Sequence, residues 1–308
     1  MARPFSSSEA AQKRFLLLLE QTTLAPRTVA FYKETVHAVL SYMERESLHT
    51  LPNQIDVQDV KKLLDCMARD NLAIATRKGY LSALKKYLKL LNGNLSAFEN
   101  CDYKLPHDCR PKVDWLEPDQ ARILIQCEKT PIQEIVIHCE LCLGMRRVEV
   151  VRLTPADIHD SEGYVTVRGK GSQGGKPRAI PFIITSHEVF KHALEWRSQM
   201  IAAALERYPV STIVPDNLII WSRGGRLHAY SEEGYGIDKV VSDPLTKQLG
   251  FHFSNHTLRR TFGRTLYRAG VPVATIAKIL GHESTEVTLR YIGVDLDDMR
   301  KAMAALCY

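Results

Sequence analysis

The sequence predicts a mainly α-helical protein with a small antiparallel β-hairpin or sheet, divided into two domains. Three observations carry that prediction. Apolar residues recur at the helical period through residues 1 to 104. The period changes to two over a short stretch beyond residue 160, the mark of strands. Between these regions lies a polar, proline-bearing stretch, residues 105–113, with no periodicity at all.

The domain limits follow: a helical N-terminal domain over 1–104, a linker over 105–113, and a second domain over 114–308. A chain of 308 residues is long enough for two cores. In the first domain, Thr28 to Glu46 places Val29, Tyr32, Val36, Val39 and Met43 on one helix face. Val57 to Arg69 and Thr76 to Leu91 repeat the pattern between Pro, Asn and Asp turn signals. The last of these carries two stripes. Leu81, Leu84, Leu88 and Leu91 form the apolar one; Lys78, Ser82, Lys85 and Lys89 form the other. The second stripe reads equally as a solvated face or as a helix laid along a DNA groove, its lysines reaching phosphates.

In the second domain, Glu117-Pro118-Asp119 opens a helix with acids at its N-terminus. Ile132, Ile135, Val136, Cys139 and Leu143 mark the next helix, which stops near Gly144, and a short helix runs from Arg146 to Leu153. Tyr164–Val167 and Arg178–Phe182 flank a loop rich in Gly, Lys and Ser, giving the β-hairpin. Helices are then expected over His187–Arg207, Asp238–Leu249, His256–Ala269 and Val273–Leu280. A C-terminal helix over 295–308 has Asp295 as N-cap, Asp298 at N3 and an apolar stripe of Leu296, Met299, Met303 and Leu306.

Composition narrows the function classes. The 45% hydrophobic and 25% charged content is that of an ordinary globular protein. A formal charge of +6 permits nucleic-acid binding without demonstrating it. The longest aliphatic run near the N-terminus, Phe15 to Leu19, is too short for a membrane span or signal segment, so a cytoplasmic protein with no membrane partner is expected. Seven scattered cysteines fit reduced thiols, and the lone Cys139/Cys142 pair fits core packing better than a metal or redox site. No phosphate-binding Gly-x-x-x-x-Gly-Lys-Ser/Thr stretch occurs. Neither a metal nor a cofactor is expected.

What remains is a set of cations, histidines and a late tyrosine. Arg146 and Lys170 lie 24 residues apart, His256 and Arg259 three apart, Arg259 and His282 23 apart, and His282 and Tyr291 nine apart. Those residue types suit phosphodiester transesterification without metal. Its transition state gathers charge on non-bridging oxygens, which arginines stabilise through bidentate hydrogen bonds. The leaving 5′-oxygen needs a proton and the attacking hydroxyl must lose one. A tyrosine nucleophile keeps the bond energy in a phosphotyrosyl ester, so religation needs no external energy. Taken singly, each residue has an ordinary reading: a surface Arg–Glu pair, a helix C-cap glycine before an exposed histidine, a hairpin turn, a packed tyrosine. The joint order and spacing argue against coincidence.

Gly144-Met145-Arg146-Arg147-Val148-Glu149 resembles the first arginine box of the tyrosine recombinase (phage integrase) family. His256-Thr257-Leu258-Arg259, then Leu280-Gly281-His282 and Tyr291, resemble its second box. The resemblance covers about residues 110 to 295, and the helical N-terminal region resembles the family's core-binding domain loosely. It implies an α+β catalytic domain and these roles: Arg146 and Arg259 clamp the scissile phosphate, Lys170 protonates the leaving 5′-oxygen, and His256 assists proton transfer at the tyrosine. His282 would hydrogen-bond a phosphate oxygen, Tyr291 would be the nucleophile, and Glu149 would orient the basic groups. It further implies a clamp on double-stranded DNA, a homotetramer in the synaptic complex, and accessory DNA-bending proteins. The biological task would be integration or excision of a mobile element or resolution of DNA multimers. The final helix would dock on a neighbouring protomer or on its own domain.

Two departures from the family pattern stand out. Arg260 follows Arg259 where a second histidine is common, and the loop from Gly171 to Arg178 is longer than usual, so Lys176 competes with Lys170 as general acid. A type IB topoisomerase and a non-catalytic sequence-specific DNA-binding factor are the alternatives.

Overall fold

The helices begin where the chain supplies caps and end where it supplies turns. The computed structural model describes residues 5, 7–99, 101, 114–169, 177–231, 235–293, 298 and 304. Contacts divide the chain into two units, Met1–Pro111 and Lys112–Tyr308. The first holds α1 (Ser8–Glu20), α2 (Pro26–Arg45), α3 (Val57–Arg69), α4 (Ile74–Leu90) and the single turn α5 (Ser96–Glu99). Ser7 caps α1, Pro26 opens α2, and Asp56 caps α3 in a reciprocal box with Asp59. Their apolar faces meet in one core around Phe15, Leu40, Met43, Leu63, Leu84 and Tyr87. On α4 the apolar stripe is wider than its leucines, because Ala83 and Tyr87 are buried beside Leu84 and Leu88. Lys78, Ser82, Lys85 and Lys89 all lie on the other side, away from the buried face. The Lys85 ammonium sits 4.9 Å from the Phe98 ring centroid.

The second unit begins with α6 (Pro118–Gln126) and α7 (Pro131–Ile137), which runs on as a π-helical turn over His138–Cys142. Cys139 is fully buried in that turn, with Cys142 packed against the same core. Then come α8 (Arg147–Arg152), β1 (Ile158–His159), β2 (Tyr164–Arg168) and β3 (Pro177–Pro181). These strands form an antiparallel sheet in chain order, with Val165 opposite Ile180 and Val167 opposite Arg178. The helices α9 (Ser186–Arg207), α10 (Tyr235–Val240), α11 (Ser242–Leu249), α12 (Asn255–Arg268), α13 (Val273–Leu280) and α14 (Thr285–Ile292) follow, with the strands β4 (Ile220–Arg223) and β5 (Arg226–Ala229) between α9 and α10. The fold is thus mainly helical with small antiparallel sheets, as the periodicities indicate.

Two local expectations need correction. The helix expected over Asp238–Leu249 is two helices, broken between Val240 and Ser242. Pro244 forces the restart: it lacks an N–H and is tolerated only in a first turn, which α11 provides. The β4–β5 hairpin is absent from the sequence-based expectation. Gly224 and Gly225, both at positive φ, supply its two-residue turn. The expected linker over 105–113, and Asp295 with Leu296, Met299, Met303 and Leu306 of the C-terminal helix, lie outside the described residues. Asp298 is described: its carboxylate lies 3.0 Å from Arg264 Nη1 and 3.8 Å from Arg268 Nε, both on α12 of the same chain. No described helix is long and apolar enough to cross a membrane.

His138, 6% exposed in the π turn, has its Nε2 at 2.9 Å from the Ser186 hydroxyl and its edge against Phe190. Burial lowers its pKa to about 4, so the folded protein holds it neutral while the unfolded chain protonates it near 6.5. The unfolded state then binds more protons between those values, and stability falls as pH drops through that window. Denaturant titrations at pH 7 and pH 4 should show a loss from this residue of roughly 2–4 kcal/mol. His138→Gln should flatten that part of the pH dependence.

Candidate active site

The sequence elements that carry the candidate residues converge on one end of α13. A helix C-terminus exposes carbonyls with no partner inside the helix and carries the negative end of its dipole. Here three successive carbonyls each accept from a different arginine. Arg178 Nε donates to Ile279 O at 2.8 Å, Arg259 Nη2 donates to Leu280 O, and Arg146 Nη2 donates to Gly281 O at 3.0 Å. Arg259 Nη1 also donates to Gly144 O.

Glu149 is the anion at the centre of these cations, and its side chain has no exposed surface. Its Oε1 accepts from Arg146 Nη1 at 2.9 Å and from Arg178 Nη1 at 2.8 Å. Its Oε2 accepts from the Arg146 amide at 2.7 Å and from Arg178 Nη2 at 2.9 Å, with Arg259 Nη1 at 3.7 Å. Local sequence explains the reach: Arg146 is the N-cap of α8 and Glu149 its N3 residue, so the carboxylate returns to the cap amide as in a capping box. Burial alone would raise the Glu149 pKa. The hydrogen bonds and charge of Arg178, the Arg146 amide and the charge of Arg259 outweigh it and hold the group below its ordinary value.

Two glycines make room for this packing. Gly144 turns the chain at φ +62°, and a Cβ there would fall on the Phe262 ring. Gly281 ends α13 at φ +62°, and a Cβ there would lie 3.0 Å from the Arg178 guanidinium carbon.

Arg259 lies on α12 with only 2% of its surface exposed. Burial, then the charge of Arg146, brings its pKa down to about 10, which leaves it charged at neutral pH. Its Nη2 is 3.3 Å from His282 Nε2. An arginine can only donate, so Nε2 accepts and the His282 proton resides on Nδ1. That proton is given to Thr288 Oγ1 at 3.0 Å, and the Thr288 hydroxyl donates in turn to Ser284 O at 3.3 Å. Burial, with the charges of Arg259, Arg146 and Arg178, lowers the His282 pKa to about 4. The imidazole is neutral at pH 7.

Tyr291 on α14 packs edge-on with His282 at 5.1 Å between centroids. Its ring centroid is 5.9 Å from the Arg259 guanidinium carbon and 5.4 Å from that of Arg260. Its hydroxyl donates to the backbone carbonyl of His256 at 3.4 Å. Burial raises the phenol pKa, and Arg259, Arg260 and Arg146 pull against that rise. His256 itself is exposed near the start of α12, whose N-cap is Ser254.

The structure therefore brings together Arg146, Glu149, Arg259, His282 and Tyr291, with the His256 backbone beside the phenol. Lys170 and its competitor Lys176 lie outside the described residues, in the segment between paired Arg168 and Pro177. Two partners escape a reading of the sequence alone. Arg178 has a usable signal: it shares the inward face of β3 with buried Ile180, an unusual place for a charge. Thr288, fully buried on α14, has none. No group of three or more potential metal-binding side chains occurs among the described residues.

The profile of the Phage integrase family matches residues 114–297, and that of the phage integrase N-terminal SAM-like domain matches residues 13–93. Among curated proteins, Tyrosine recombinase XerC of Oceanobacillus iheyensis is 25% identical over 287 residues, covering 90% of this chain and 89% of that one. Tyrosine recombinase XerC of Pelotomaculum thermopropionicum is 26% identical over 310 residues, covering 93% and 94%. Among solved structures, the XerH site-specific recombinase bound to palindromic difH substrate aligns with a TM-score of 0.68 at 19% identity, covering 97% of this chain and 85% of that one. The Tn1549 transposon integrase in complex with transposon right end DNA aligns with a TM-score of 0.65 at 18% identity, covering 96% and 99%. At such identities the structural likeness establishes the common fold. The family profile spans more than half of the chain, and the protein accordingly belongs to the phage integrase family: it is a tyrosine recombinase, an enzyme that cleaves and rejoins DNA strands.

Proposed function

We propose that this chain is a site-specific DNA recombinase in which Tyr291 is the nucleophile and Arg146, Arg259 and His282 bind the scissile phosphate. The observation supporting this reading is that one buried guanidinium, that of Arg259, reaches both His282 and the Tyr291 ring.

In the cleavage step the Tyr291 oxygen forms a bond to phosphorus while the bond from phosphorus to the 5′-oxygen breaks. A 3′-phosphotyrosyl ester and a free 5′-hydroxyl result. The phenolic proton leaves with the help of His256, and Lys170 supplies the proton to the 5′-oxygen. Arg146 and Arg259 hold the charge that gathers on the non-bridging oxygens. In the resting site the His282 Nε2 lone pair faces Arg259. An arriving phosphate cancels the repulsion of the arginines, so the imidazole takes up a proton and donates through Nε2 to a phosphate oxygen. Rejoining is the reverse attack by a 5′-hydroxyl from the partner duplex. Four protomers on two duplexes complete the exchange, with accessory DNA-bending proteins as candidates for directing it. The enzyme acts in the cytoplasm. The Lys78, Lys85 and Lys89 stripe on α4 tracks phosphates of the duplex.

Three outcomes check this reading. Incubated with a randomised-duplex library, the unaltered enzyme should yield denaturant-resistant protein–DNA adducts, and Tyr291→Phe should yield none. Adducts persisting in Tyr291→Phe would remove Tyr291 from the role.

Arg260→Gln takes a cation from the phenol, so the Tyr291 pKa rises further. The rising limb of the cleavage rate against pH should move to higher pH, with the alkaline plateau retained. An unmoved limb would mean that Arg260 does not tune the phenol.

Replacing Lys78, Lys85 and Lys89 with alanine should weaken DNA binding alike on all sequences. The slope of log affinity against log salt should shrink by about 1 for each phosphate that is no longer neutralised. An unchanged slope would return the stripe to a solvated face.

A further inference from the structure

We infer that Arg178 is a positioning residue for the phosphate clamp, acting through Glu149. The inference rests on the reading of Arg146, Arg259 and Tyr291 given above. Each nitrogen of the Arg178 guanidinium donates inside the protein: two parallel hydrogen bonds to Glu149, and Nε to the Ile279 carbonyl. Its side chain is 15% exposed.

What it controls is the availability of the other two arginines. Glu149 is the anion toward which all three cations are drawn, and Arg178 occupies both of its oxygens at once. With those lone pairs engaged, Arg259 Nη1 stays 3.7 Å from Oε2 instead of closing on it. Arg146 is held by one nitrogen to Oε1 and by another to Gly281 O. Loss of Arg178 would leave a buried carboxylate with spare acceptor capacity between two guanidiniums. Both would move inward, away from a phosphate, and the local net charge of the four groups would drop from +2 to +1. Gly281 fits the same logic, because its missing side chain is what lets the Arg178 guanidinium lie against the end of α13.

Displacement of a clamp affects the transition state more than ground-state binding, which the remaining basic contacts dominate. The test uses a nicked duplex carrying a site recovered by covalent trapping on the unaltered enzyme from a randomised library. It is made with either a normal or a methylphosphonate linkage at the cleavage position. Arg178→Gln should lower the first-order rate of adduct formation about 10- to 100-fold, less than deletion of a donor that touches the phosphate. DNA affinity should stay within about twofold of the unaltered enzyme. On the methylphosphonate duplex, which lacks the non-bridging charge, the deficit should shrink to severalfold or less. Glu149→Gln combined with Arg178→Gln should be no slower than the slower single variant, because both act through one contact. Arg178→Lys keeps the charge but not the paired bonds and should fall between, which carries the comparison if the glutamine variant unfolds.

An unaltered rate in Arg178→Gln overturns the inference. So does a deficit of equal size on both linkages, which marks a merely structural role, or a parallel loss of DNA affinity, which marks a DNA contact. Failure of the unaltered enzyme to trap any duplex strikes the functional reading itself and removes the inference with it.

Discussion

One buried carboxylate holds the catalytic unit's charged centre in place. Glu149 lies without solvent among three guanidiniums, and each of those guanidiniums also donates to a carbonyl at the end of α13. Removing an ion from water costs several kcal/mol, and close pairing plus full hydrogen bonding is what offsets that. The arrangement satisfies both conditions. Its sign matters as much as its stability. Three positive groups against one negative leave a surplus of positive charge, and the helix carbonyls screen it without cancelling it, because a dipole end carries only about half a charge. An anion arriving from outside therefore meets a site built in advance for it. In the proposed reaction little reorganisation is then left to do.

The same surplus sets the resting states of the two titrating groups. Repulsion from the arginines and burial keep His282 neutral, while burial keeps the Tyr291 phenol protonated despite the cations near its ring. His282 is thus a neutral imidazole and Tyr291 a neutral phenol before any anion arrives. A phosphate's negative charge favours protonation of the imidazole. A phosphate also gives the guanidiniums a partner other than Glu149. In the proposed reaction, protonation of His282 is coupled to phosphate occupancy by electrostatics.

Much of this is legible in the chain. The 3.6-residue period locates α3 and α13 to the residue, and the change of period locates β2 and β3, because both patterns depend only on which face is buried. The spacing of Arg146, Arg259, His282 and Tyr291 identifies residues that do converge. What stays hidden depends on tertiary partners. The inward direction of Arg178 becomes meaningful only when Glu149 and the end of α13 are beside it. Thr288 fixes the His282 tautomer from one helix over, and no local pattern announces that. The break between α10 and α11 is readable in principle, since Pro244 cannot sit inside a helix. A run of otherwise favourable residues masks it.

The charge balance also depends on a carboxyl group that has no ion pair among the described residues. Glu140 lies in the π turn, 2% exposed, and its Oε1 has no hydrogen-bond partner among the described residues. Burial pushes its pKa up to about 8 against the pull of Arg147 and Arg259. At neutral pH it is therefore mostly an uncharged acid. Had it ionised, the region would hold a second buried negative charge, and Arg259 would be divided between two carboxylates. Asp238 takes Arg147 instead, at 2.8 Å, which leaves that cation engaged away from the centre. A protonated Glu140 thus preserves the excess of positive charge that Glu149 organises. Its burial in an apolar core is the physical reason that it stays neutral.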